Sequence, residues 1–72
     1  MDLMEIKEKE LLSREAAAAR LHSLADSLAK DNEVEFDRGG LRFKVHVPDE
    51  VQFKLELEIG DDGSELEIEL TW

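Results

Sequence analysis

The chain has 72 residues, 42% of them hydrophobic, and sets 19 Asp and Glu against 9 Lys and Arg for a formal net charge of −10, with no cysteine. One domain of this size draws only about 3 to 5 kcal/mol from its core, so oligomerisation is the expected supplement. The charge argues against direct binding to nucleic acid, the lack of cysteine excludes disulfides and thiolate metal sites, and no apolar run approaches the ~20 residues that span a bilayer.

The opening Met1-Asp2-Leu3-Met4-Glu5 lacks the basic flank and apolar block of a signal peptide. Together with the cysteine count, this points to a cytoplasmic protein. Acidity of this degree suits either a basic partner or a salty cytoplasm, where screening within ~3 Å at 1 M removes the repulsion. Salt is the preferred explanation.

From Asp2 to Glu10, Met4 and Ile6 alternate with Glu5 and Lys7, which predicts a short, charged strand at a sheet edge. Ser13 is placed to cap a helix, and Glu15 puts a carboxylate in its positive first turn. Ala16 stands where a capping box would need Glu or Gln, while Leu12 and Ala17 have the spacing of a hydrophobic staple. The predicted helix runs from Arg14 to about Lys30. Its apolar stripe is Ala17, Leu21, Leu24, Ala25 and Leu28, and Asp31-Asn32 ends it, Asn accepting the left-handed conformation.

Two alternating segments flank Gly39-Gly40, a pair that suits the positive φ angles of a tight hairpin turn. With those glycines in the loop, Phe36 opposes Phe43 and Val34 opposes Val45 inside, while Asp37 meets Arg42 and Glu35 meets Lys44 outside. An Arg38-Gly39 loop preserves the same faces. Pro48-Asp49-Glu50 is the next expected turn, pairing Val47 with Val51 and setting Arg42 against Glu56.

The last stretch, Val51 to Trp72, is the strongest signal. Val51, Phe53, Leu55, Leu57 and Ile59 share one face with Leu66, Ile68, Leu70 and Trp72, and the intervening positions are polar, mostly glutamate. An Asp62-Gly63 turn would set Leu55 opposite Leu70 and Phe53 opposite Trp72. The expected fold class is α+β: a two-layer sandwich with one helix on a mostly antiparallel five-stranded sheet, in the order β-α-β-β-β-β. A helix about 10 Å wide cannot cover five strands spaced about 4.8 Å apart. The uncovered apolar face predicts a homodimer whose core or interface includes Phe43, Phe53, Leu55, Leu70 and Trp72.

The MEIKEKE start, the SREAAAARLHSLADSLA helix, the NEVEFDRGGLRFKVHVPDEVQFKLELEIG strands and the closing ELEIELTW together resemble the amphi-Trp domain family, over essentially the whole chain. Val47-Pro48-Asp49, the alternating strands and Trp72 are the most specific parts. The family occurs in halophilic archaea and in bacteria, so the resemblance implies salt adaptation. It supplies no catalytic residue to carry over.

Candidate chemistry is sparse. The expected register sets Glu58 against Glu67 and Glu56 against Glu69, with Glu65 beyond, an acidic face on which like charges oppose one another. Such carboxylates can hold a divalent cation or a basic protein, but a solvated face in a high-salt cell explains them more simply. Asp61-Asp62-Gly63-Ser64-Glu65 lacks the ligand spacing of a calcium loop and reads as a turn. His22 and His46 have no metal-ligand spacing. Ser13, Ser23, Ser27 and Ser64 have no nucleophile context, and the glycines at 39 and 40 precede a strand rather than a phosphate-binding helix.

The sequence therefore predicts a non-enzymatic structural or protein-interaction module without cofactor or metal. The alternative is an adaptor or regulator docking a larger or basic protein through its sheet edge or apolar face.

Overall fold

The computed structural model describes residues 4–72. It contains one helix, α1 (Arg14–Asp31), followed by four strands: β1 (Glu33–Arg38), β2 (Leu41–His46), β3 (Gln52–Gly60) and β4 (Gly63–Thr71). The α+β class is as expected from the sequence. The five-stranded sheet is not: β1 and β2 form one antiparallel pair, and β3 and β4 form another.

The helix begins where its cap predicts. Ser13 Oγ accepts a hydrogen bond from the Ala16 backbone N–H at 3.0 Å, and Ala17 N–H donates to the Ser13 carbonyl at 3.0 Å. Glu15 lies in the first turn and Lys30 in the last, each matching the sign of the helix dipole. At the other end Asn32 takes the left-handed conformation, φ 55°, and its N–H donates to the Ser27 carbonyl. Ala17, Leu24 and Leu28 of the anticipated stripe are half-buried, joined by Ala16 and Ser27, whereas Leu21 and Ala25 are exposed.

The strand expected over Asp2 to Glu10 does not form within Met4–Glu10; its first two positions lie outside the described residues. A strand needs a ladder partner, and the charges here are engaged with the helix instead. Arg20 on α1 holds Glu10 at 2.7 Å and Glu8 at 3.9 Å.

The β1–β2 hairpin has the register expected with Gly39-Gly40 as its loop. Phe36 opposes Phe43, Val34 opposes Val45, Glu35 opposes Lys44 and Asp37 opposes Arg42. Gly39 and Gly40 have φ 58° and 81°, angles that a side chain would strain. Among the four strands, β1 is the one the helix packs against.

The turn expected at Pro48-Asp49-Glu50 does not reverse the chain. Val47 prolongs the first ladder through its N–H, which donates to the Asn32 carbonyl at 2.8 Å. Val47 is also the one buried hydrophobic residue among those described, with 7% of its surface exposed. Preceding a proline, it is biased towards extended backbone, and only a bend at Asp49 interrupts the path to Gln52. The expected pairs Val47 with Val51 and Arg42 with Glu56 are therefore not made, and β3 and β4 contact none of the other elements.

The β3–β4 hairpin forms with its register displaced by two residues. Its loop is Asp61-Asp62 rather than Asp62-Gly63, so Gly60 opposes Gly63, Leu57 opposes Leu66, Leu55 opposes Ile68 and Phe53 opposes Leu70. A displacement of two preserves every residue's face, so alternation alone cannot tell the registers apart. The observed one sets Lys54 opposite Glu69, an opposite-charge pair that the expected register lacked. Trp72 follows the last strand and does not oppose Phe53.

Candidate functional site

The apolar face of β3–β4 is open. Phe53, Leu55, Leu57, Ile59, Leu66, Ile68 and Trp72 are exposed to between 45% and 76%, and Leu70 is half-buried. The cause is local: each strand places alternate side chains on one face, and neither α1 nor the first hairpin covers that face. Of the expected interface residues, Phe53, Leu55, Leu70 and Trp72 are gathered on this hairpin. Phe43 belongs to the other one, half-buried on β2.

Leu57 and Leu66 are as open as Phe53 and Leu55, and Ile59 is more so; the alternation that identified Leu55 could have added them.

The opposite face carries the anticipated glutamates with different partners. Glu56 opposes Glu67, Glu58 opposes Glu65, and Glu69 opposes Lys54. Lys54 Nζ lies 3.3 Å from Glu56 Oε2, so the cation sits at one end of an otherwise uniform acidic surface. Among the described residues, no group of three or more histidine or acidic side chains is arranged to hold a metal ion. The Asp61-Asp62 turn borders an open concavity of about 390 Å³ with Glu58 and Glu65.

On the first hairpin the outer surface has the opposite character along β2, with Arg42, Lys44 and His46 at alternate positions. Arg42 Nε lies 2.8 Å from Glu35 Oε1 and 3.2 Å from Asp37 Oδ1. The Asp37 hydrogen bond, followed by the charges of Glu35 and Asp37, raises the Arg42 pKa and keeps the guanidinium cationic. Lys44 Nζ is 3.9 Å from Glu33 Oε1. His46 and His22 are both exposed.

A groove of about 1070 Å³ runs between α1 and β1, lined by Ala16, Ala19, Leu24 and Phe36 and rimmed by Glu8, Glu10, Arg20 and Asp37. Sequence reasoning missed it, because a strand was expected where Glu8–Glu10 lies beside the helix.

These features define a small α+β protein with one capped helix and two antiparallel hairpins, the second amphipathic and followed by a terminal tryptophan. The chain belongs to the Amphi-Trp domain family, whose model matches residues 1–72. No curated protein and no solved structure gives a significant match.

Proposed function

We propose that the chain is a non-enzymatic structural or protein-interaction module that works in the cytoplasm as a homodimer, with its glutamate-rich face outward and adapted to salt. The single observation that carries this proposal is the open apolar face of β3–β4, where seven large side chains are exposed to between 45% and 76%. A two-stranded hairpin is marginal in water without a third strand or a packed layer, and contiguous apolar patches of this kind mark interfaces. A second copy supplies the missing layer with the same chemistry.

A second role, as an adaptor that docks a basic protein, draws support from the opposed glutamates Glu56 and Glu67, and Glu58 and Glu65. Like charges face one another there at a cost that a cationic partner would relieve.

Light scattering at low and at multimolar salt, with circular dichroism, tests the proposal. A folded dimer under both conditions is expected. A folded monomer at all concentrations would refute it and turn the search to other partners for the apolar face.

A further inference from the structure

We propose that the second copy lies face to face on the β3–β4 ribbon and end over end, its turn above the open end of the first, so that Trp72 of each copy fills the space above Ser64 of the other. This inference rests on the homodimer proposed above and specifies its geometry. It covers the apolar face and leaves both glutamate faces to solvent. Pairing through a free strand edge would leave the apolar face as open as before.

Side-chain size selects the orientation. The register arranges the apolar face in five rungs: Val51 beside Trp72 at the open end, Leu55 beside Ile68 at the centre, Ile59 beside Ser64 at the turn, and Phe53–Leu70 and Leu57–Leu66 between them. The face is thick at the open end, where Phe53 and Trp72 stand, and thin at the turn, where Ser64 brings no apolar side chain. A packed layer fills evenly when large side chains meet small ones across it. A two-fold axis across the strands at the central rung achieves this. It sets Trp72 over Ser64, Val51 over Ile59, Phe53 over Leu57 and Leu70 over Leu66, while Leu55 and Ile68 each meet their own counterpart. A two-fold axis along the strands would instead gather both tryptophans at one end and both serines at the other, leaving a void there.

The amount of surface and the path of the chain agree with this arrangement. Seven side chains with the observed exposures offer roughly 600 Å² per copy, or about 1,200 Å² in all, the lower end of the range for specific, stable interfaces. Twisted ribbons pack at about −30° and about 10 Å apart, the depth of one interdigitated layer. The chain enters each ribbon at its Val51 end, and β3 and β4 contact no other element. Reversing one copy therefore carries the two helical units to opposite ends of the sandwich, where they obstruct neither face.

The orientation is tested by a distance. Asp62→Cys, in a chain with no other cysteine, places one spin label at the turn, at a residue outside the left-handed region. Double electron–electron resonance on the dimer should read roughly 45 Å between labels, because each turn stands about 22 Å beyond the central rung at ~3.4 Å per residue. A separation outside about 35 to 55 Å would overturn the orientation while leaving the homodimer intact. Light scattering on the same sample separates the two failures, since a monomer would overturn both.

The contact itself is tested by a double-variant cycle on the dimer dissociation constant. Ser64→Leu and Trp72→Ala should each weaken dimerisation by about tenfold, and the chain carrying both should recover most of that loss, because the added leucine occupies volume that the tryptophan vacates. Within one copy the two positions lie about 26 Å apart along the strand, so only contact between copies can couple them. Losses that simply multiply in the double variant would overturn the placement of Trp72 over Ser64. The spin-label distance decides the orientation even where one of these variants fails to fold.

Discussion

The backbone N–H of Val47 donates to the carbonyl of Asn32 at 2.8 Å, tying the residue that ends the helix to the residue that leaves the first hairpin. Helix cap, strand pair and the buried Val47 side chain therefore form one cooperative unit. Val47→Ala removes two buried carbons and should destabilise this unit by about 1 to 2 kcal/mol. Chemical denaturation followed by circular dichroism measures it, and a loss below a few tenths would place Val47 outside the core.

Asn32 holds φ 55°. Asn32→Val should cost about 1 to 2 kcal/mol, because a β-branched side chain is strained in the left-handed region, whereas Asn32→Gly should be nearly neutral. Equal losses for the two variants would point to the Asn side chain rather than to the backbone angle.

Gly39 and Gly40 have open space around the position a Cβ would occupy, so contact with neighbours would not be the problem on substitution. With φ 58° and 81°, Gly40→Ala and Gly39→Ala should each destabilise the first hairpin by about 1 kcal/mol through backbone strain alone. Hydrogen exchange of the β1–β2 amides would register the change, and those of β3–β4 should not respond to the strain itself.

Trp72 is 55% exposed in the single chain. Trp72→Ala should consequently act on association more than on the fold of one copy, raising the dimer dissociation constant by tenfold or more, as expected for an aromatic interface anchor. Sedimentation across a concentration series distinguishes this from a core role, for which unfolding would move at every concentration by the same amount.

Two glutamate pairs face each other on β3–β4. Raising salt from 0.1 M to 1 M shortens the screening length from about 10 Å to about 3 Å, so the melting temperature should rise. Glu58→Gln should recover about 0.2 to 1 kcal/mol of stability at low salt and flatten that dependence. A melting temperature that falls with salt would mean that attractive pairs dominate.

Much of this architecture is legible from the residues, because the signals are local. Ser13 and Asn32 bound the helix within about a residue, and Gly39-Gly40 together with the Asp37–Arg42 and Glu35–Lys44 pairs fixes the first register. The signals fail where a longer range is needed. The Met4–Glu10 alternation resembles a strand but finds no ladder among the described residues, and Arg20 recruits its carboxylates instead. Pro48-Asp49-Glu50 has turn composition, yet a proline after an extended valine serves equally well to carry the chain onward. The second register is ambiguous because two uniform faces look alike after a slide of two residues. The open face was anticipated, but on a broader sheet; here it is concentrated on one hairpin.

Lys54 is the single basic residue on either strand of that hairpin. Because the glutamates repeat, sliding the strands by two residues leaves the outer surface almost unaltered, and Lys54 is the index mark by which one alignment differs from its neighbour. The hairpin is thus encoded redundantly in its sides and sparsely in its alignment. Small changes at Lys54 or in the Asp61-Asp62 loop would shift where the two ends of the ribbon come to rest, and with them the position of Trp72, without disturbing the amphipathic character of the ribbon.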